Sequence, residues 1–140
     1  MGTSGRRALI AVGQSALVPR ESAVARGREA EQVARGYLEA QGLQFVSQNY
    51  YTRHGEIDLV MYDGLTLVFV EVRMRASFRF GKAVESISTQ KRDHVVQAAQ
   101  HYLQHHRETL RHRCRFDLVA FEGIDLSLSP RWIKGAFGID

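Results

Sequence analysis

The sequence predicts an α/β domain, a mixed sheet flanked by helices in the order αβββαββα. Three patterns carry that prediction. Apolar residues recur at helical spacing in two long segments, they alternate at strand spacing in the segments between, and turn dipeptides stand where one period gives way to the other.

Residues 1–20 are rich in Gly, Ser and small apolar residues without a period, so they read as a flexible tail ahead of one domain at 21–140. From Glu21 to Gln41, Ala30, Val33, Ala34, Tyr37 and Leu38 form one apolar stripe, which predicts a helix ended by Gly42. Leu43, Phe45 and Ser47 alternate as a first strand, and a polar connection runs through Asn49 and Arg53 to Gly55. Glu56–Tyr62 and Thr66–Met74 are two further strands joined across Asp63-Gly64, a dipeptide suited to a tight hairpin. Residues 75–88 read as an irregular basic loop. Ser88 or Thr89 then caps a second helix with Val95, Ala98, Ala99, Tyr102 and Leu103 on its inner stripe. Arg115–Phe121 and Ile124–Leu128 are expected as strands four and five, and Trp132, Ile133, Ala136 and Phe137 as a short closing helix after Pro130.

Composition narrows the function classes. The chain has 140 residues, 44% apolar and 24% charged, which suits a globular domain. A single cysteine, Cys114, excludes an internal disulfide and a Cys-x-x-Cys centre, and fits a reducing compartment. The early apolar run from Ala8 to Val12 is too short for a signal-peptide core or a membrane span, so a cytoplasmic protein is expected. Residues 1–20 contribute +3 of the formal +4 charge, leaving the domain nearly neutral. Its cations are segregated instead, with Arg73, Arg75, Arg79 and Lys82 falling in ten residues that hold no acid. That loop interleaves its cations with Phe78 and Phe80, a pattern suited to tracking a nucleic-acid backbone.

Strand alternation puts Ile57, Leu59 and Met61 on one face of the second strand and Glu56, Asp58, Val60 and Tyr62 on the other. The third strand divides Val68, Val70, Val72 and Met74 from Leu67, Phe69, Glu71 and Arg73. An even hairpin loop makes Asp58 and Glu71 share a face, whereas an odd one separates them. Such residues are ordinarily a solvated, salt-bridged face. Here Val60, Leu67 and Phe69 cover the same face, and two carboxylates there repel unless a cation sits between them. Hard oxygen donors on a stiff sheet suit Mg²⁺ or Mn²⁺. Glu31, one position past Ala30, lies at the shoulder of the first helix's stripe, placed either to reach the sheet or to point to water. Lys91 lies on the inward stripe of the second helix, where it can supply an amine or run past the apolar edge to solvent. His94, His101 and His105 line one side of that helix without an accompanying inward Glu or Cys, and read as a solvated stripe rather than a zinc site.

Gly55-Glu56-Ile57-Asp58-Leu59, Phe69-Val70-Glu71-Val72-Arg73, Phe80-Gly81, Lys91 and Arg115-Phe116-Asp117 together resemble the YraN family, also called UPF0102. That family resembles Holliday-junction resolvases and the wider PD-(D/E)xK nucleases. The resemblance covers residues 27–137 in order. It implies a restriction-endonuclease-like fold and a metal site made by Asp58, Glu71 and the main-chain carbonyl of Val72, with Glu31 matching the family's helix glutamate. It also implies a homodimer. The sequence departs from the pattern at Ala30, which stands for a glycine, and at Arg73, which stands for the motif lysine. A guanidinium stays protonated, so Arg73 can clamp phosphate but cannot act as a base, and Lys91 is the alternative amine.

The expectation is therefore a Mg²⁺- or Mn²⁺-dependent endonuclease acting on branched or structured DNA rather than RNA. Glu31, Asp58, Glu71 and Val72 would bind the metal, Arg73 and Lys91 would serve the reaction, and Arg73, Arg75, Arg79 and Lys82 would bind the backbone. The alternative is a non-catalytic nucleic-acid-binding module on the same fold.

Overall fold

A computed structural model of the protein describes residues 20–75, 84–123, 125–127 and 129–138, with side chains from Val24 onward. Of the tail expected at 1–20, residues 1–19 lie outside the described residues and Arg20 opens the first helix; residues 76–83 of the expected basic loop, including Arg79 and Lys82, also lie outside them.

Helix α1 spans Arg20–Ala40 and buries Ala30, Ala34 and Leu38, four residues apart, so one stripe meets the sheet. Its end is closed by two bonds, Leu43 N to Leu38 O at 3.1 Å and Gly42 N to Glu39 O at 3.0 Å, with Leu43 packing back into the same core. Strands β1 (Gln44–Tyr51), β2 (Glu56–Asp63) and β3 (Thr66–Arg75) form an antiparallel meander, and its second hairpin turns through Gly64 and Leu65 alone. A 3₁₀ turn at Val84–Ser86 leads into α2 (Thr89–His105). The Ser88 hydroxyl caps α2 by accepting from Lys91 N at 3.1 Å, as the sequence predicts. A second 3₁₀ turn at Arg107–Arg111 precedes β4 (Arg113–Glu122), which pairs in parallel with β3. Parallel pairing needs a crossover, and α2 supplies it.

The sheet order is β1-β2-β3-β4-β5, mixed and flanked by the two helices. The result is a restriction-endonuclease-like α/β domain, as expected. On one face Leu59, Met61, Val68, Val70, Val119 and Phe121 pack under α1. On the other Val60, Leu67, Phe69 and Phe116 pack under Val95, Ala98, Ala99 and Tyr102 of α2. Strands β2 and β3 are covered on both faces, which is why their sequences read as nearly continuous apolar runs.

Two expectations about the C-terminal part are corrected. Residues 125–127 form a turn, with 124 and 128 outside the described residues, so the expected strand at Ile124–Leu128 is not the fifth strand. That strand is β5, Arg131–Phe137, antiparallel to β4, where a closing helix was expected. Gly135 has φ +60°, which no helix accommodates, and Pro130 sits just ahead of a strand rather than opening a helix. The register slips between Phe116 and Leu118, and Asp117 at the slip is fully buried. It accepts from Arg115 Nε and Nη2 at 2.8 and 2.9 Å, from Trp132 Nε1 at 2.9 Å and from Gly135 N at 3.0 Å. The carboxylate thus replaces ladder acceptors and pins the edge strand.

Candidate metal centre

The two-residue turn fixes the register of β2 and β3 as Asp63 opposite Thr66 and Leu59 opposite Val70. One position further on each strand brings Asp58 opposite Glu71, the juxtaposition an even loop predicts. Backbone pairing stops there, and side chains take over the ladder. Val72 N donates to Asp58 Oδ2 at 2.8 Å, and Asp58 N lies 3.5 Å from Glu71 Oε2. The neighbouring strand explains the break. Asn49, opposite Asp58 on β1, has φ +52°, a conformation asparagine tolerates better than most residues. Alternation fails at this kink. Ile57, expected beside Leu59 and Met61, instead packs with Val60 and Phe69 under α2.

The kink leaves room at the splayed end of the sheet for carboxylates from two directions. Glu31 comes from α1, and one of its oxygens lies within 4.8 Å of oxygens of both Glu56 and Asp58, which are equally close to each other. Asn49 Nδ2 bridges two of them, donating to Glu31 Oε1 at 2.9 Å and to Glu56 Oε2 at 2.8 Å. From the α2 side, Lys91 Nζ stands 3.6 Å from Glu71 Oε1. The cluster therefore draws on both helical layers.

The electrostatics follow from burial. Asp58 is 9% exposed and Glu71 1%. Desolvation, followed by the Glu71 charge, pushes the Asp58 carboxyl well above the usual range. Desolvation raises Glu71 from its ordinary 4.5 to about 7, against the opposing pull of Lys91. Glu31 is also raised, by desolvation first and by the Glu56 charge, with the Asn49 bond working the other way. Three carboxyl groups held where charging is unfavourable form a site that a cation would relieve.

Comparison with known proteins places the chain among relatives. The model of "Uncharacterised protein family UPF0102" matches residues 30–121. The chain belongs to the UPF0102 family. It is 48% identical to a UPF0102 protein of Pseudomonas syringae pv. syringae over 112 residues, covering 79% of this chain and 91% of the relative. It is 46% identical to one from Pseudomonas savastanoi pv. phaseolicola over 121 residues, covering 86% and 98%. A UPF0102 protein of Aeromonas hydrophila is 46% identical over 117 residues, covering 83% and 87%. The segment matched to UPF0102 contains the whole acidic cluster and Lys91, and ends before β5.

The remaining expected site residues of this UPF0102 chain are distributed as follows. Arg73 points its Nη2 at the Ser86 carbonyl, 3.0 Å away, while its Nε is buried without a hydrogen-bond partner among the described residues. Arg92 holds the same turn through the carbonyls of Ile87 and Val84 at 3.1 and 2.9 Å. Arg73 thus helps tie the end of β3 to the start of α2, and the amine beside the acids is Lys91. Arg75 is exposed, with Nη1 on the Met74 carbonyl at 3.1 Å. Val72 presents its N–H to Asp58 from between Glu71 and Arg73. Glu56 and Asn49 were not singled out from the sequence as parts of the site. Glu56 carried a signal, standing two residues before Asp58, but Asn49 gave none, since its role depends on a left-handed backbone.

Proposed function

We propose that this UPF0102 protein is a phosphodiester hydrolase dependent on Mg²⁺ or Mn²⁺ and acting on structured DNA. In this reading Glu31, Asp58, Glu71 and the main-chain carbonyl of Val72 hold the metal, and Glu56 completes the acidic wall. The observation that carries it is the convergence of Glu31, Glu56 and Asp58 oxygens within 4.8 Å beside a buried Glu71. The donor set fits such an ion, because every donor is a hard oxygen on a helix or strand and the carboxyl groups repel one another in its absence. When bound, the cation supplies Lewis-acid chemistry and an activated water.

The chain's own groups divide the remaining work. Lys91 holds Glu71 from the α2 side and is the amine placed to meet charge developing on a phosphoryl oxygen. Arg73 fixes the end of β3 against the Ser86 carbonyl and adds positive charge without being able to take a proton. Arg75, with Arg79 and Lys82 later in the same acid-free stretch of sequence, supplies positive charge for a nucleic-acid backbone.

A cleavage panel of branched, nicked and single-stranded DNA and RNA, with Mg²⁺ and with Mn²⁺, tests the reading. Wild type should cut a branched DNA, Asp58→Asn and Lys91→Ala should each lose at least about a hundredfold in rate, and Arg73→Lys should change little. Loss in Arg73→Lys with Lys91→Ala unaffected would reverse the roles of the two cations. One observation favours a second reading, a nucleic-acid-binding module without cleavage. The motif lysine is replaced by Arg73, whose Nη2 is engaged with a main-chain carbonyl. Binding of DNA and Mn²⁺ with no cutting of any substrate by wild type or by Arg73→Lys selects that reading.

A further inference from the structure

A cleft of about 610 Å³ is lined by Arg53, His54, Gln97, Gln100, His101 and Gln104, on α2 and the turn between β1 and β2. Its size falls in the range of ligand clefts, and none of its six lining residues is an acid. Gln97, Gln100, His101 and Gln104 follow the i, i+3, i+4, i+7 spacing and form one stripe of α2. Arg53 and His54 face them from the turn between β1 and β2, which is held by Thr52: its Oγ1 donates to the Gly55 carbonyl at 2.9 Å and accepts from Gly55 N and His54 N at 3.1 Å each. His101 is fixed as well. The Tyr50 hydroxyl lies 2.7 Å from its Nδ1, and the His105 ring stacks on it at a centroid distance of 4.0 Å.

Both walls of the cleft are close in sequence to residues of the acidic cluster. Arg53 and His54 precede Gly55 and Glu56 directly, and a Cβ on Gly55 would meet His94 Cβ and O at 3.0 Å, so the turn sits hard against α2. On the helix, Gln97 is six residues beyond Lys91, roughly 9 Å along the axis and about 120° round it at the usual helix geometry. That separation suits the next one or two nucleotides of a strand whose phosphate lies at Glu71 and Lys91.

The chemistry narrows the occupant. Each glutamine amide carries donors and an acceptor, so three in a row can meet the edge of any base without demanding one. Arg53 suits a phosphate, and a fixed imidazole offers a flat surface to a base. Desolvation, with the neighbouring His105 and His54, holds His101 below its ordinary pKa.

We propose that this cleft is a subsite for an unpaired nucleotide, so that the substrate carries a single-stranded segment next to the bond presented to the acidic cluster. The proposal rests on the nucleic-acid reading above but uses none of its carboxylates. It is tested by fluorescence anisotropy in EDTA, with a short labelled single-stranded DNA of mixed sequence and the blunt duplex of the same sequence. Wild type binds the single strand more tightly. The combined Gln97→Ala, Gln100→Ala, Gln104→Ala variant weakens single-strand binding at least about tenfold and Arg53→Ala several-fold, with duplex affinity unchanged in the glutamine variant. In wild type, the side-chain amide resonances of the three glutamines shift as the single strand is titrated in. Equal affinity for both DNAs, single-strand binding that survives the triple substitution, or glutamine resonances that do not move at saturation each overturn the subsite. The assay contains no metal, so a protein that fails to cleave in Mn²⁺ leaves this result standing. A protein that cleaves while ignoring the glutamine substitutions defeats the subsite alone.

Discussion

Two buried aspartates in this sheet have opposite surroundings. Asp117 on β4 receives four hydrogen bonds, two of them from the Arg115 guanidinium, and Arg115 continues to Asp63 at 2.9 Å. Asp58 on β2 receives a backbone N–H from Val72 and otherwise faces Glu31, Glu56 and Glu71. Burial costs both carboxylates their hydration. At Asp117 the chain itself restores what was lost, whereas at Asp58 it adds more negative charge. A fold gains stability from the first arrangement and none from the second, which is the ground for proposing Asp58 as the functional member of the pair.

The largest effect separating the two should be on stability. Asp117→Ala leaves Arg115, the Trp132 indole and the Gly135 N–H without their acceptor, and should cost about 3 to 5 kcal/mol in urea unfolding. Asp58→Asn removes a repelling charge and should be neutral or stabilising in metal-free buffer. A large loss from Asp58→Asn would erase the distinction.

The pH dependence sharpens it. Glu71 is raised from 4.5 to about 7, so between those values the folded chain keeps a proton that the unfolded chain releases. The raised pKa favours the fold fully below pH 4.5, and this contribution is lost as pH rises toward about 7. Metal-free unfolding should therefore become easier over that window, by roughly 3 kcal/mol if Glu71 acts alone. Saturating Mn²⁺ should reverse the slope, because the metal takes the deprotonated form. Glu71→Gln should reduce the dependence in both conditions, leaving the part due to the raised Asp58 and Glu31 carboxyls, read from urea midpoints at the two ends of the window.

Smaller effects test the frame around the site. Gly55→Ala pushes a methyl against His94 and should lower stability by about 1 to 3 kcal/mol, seen as a reduced Tm. Replacing Arg75, Arg79 and Lys82 with Ala should reduce the slope of log affinity for DNA against log salt by about 2, while the Tm stays unchanged. An unaltered slope would remove those residues from the contact surface.

The same contrast shows what could be read from sequence. The Asp63-Gly64 turn, the Ser88 cap and the α1 and α2 stripes depend on neighbours a few residues apart, and all were legible. The even turn sets Asp58 across from Glu71 on the neighbouring strand, but not which carboxylates gather there: Asp58 groups with Glu31 and Glu56, while Glu71 meets Lys91. The kink at Asn49 was not legible, because a single left-handed residue reverses the alternation on which face assignments rest, and so Ile57 went to the wrong side. Glu56 was visible but indistinguishable from an ordinary strand-end acid until Asn49 bridged it to Glu31. At β5 the aromatic and aliphatic spacing suited a helix as well as a strand, and Gly135 was the residue that should have decided against the helix. Asp117 lies inside the Arg115-Phe116-Asp117 motif, yet its partners Trp132 and Gly135 come from β5, where the sequence pattern predicts a helix.

The central claim is that Asp58 and its neighbours form a cation site that the fold leaves electrostatically unsatisfied. Isothermal titration calorimetry of Mn²⁺ into wild type and Asp58→Asn, with thermal unfolding of the same samples, tests it most directly. Wild type should bind one Mn²⁺ and gain about 2.7 kcal/mol of stability at a hundred times Kd, and Asp58→Asn should show neither effect. Equal heats and equal Tm values in the two proteins would contradict the account.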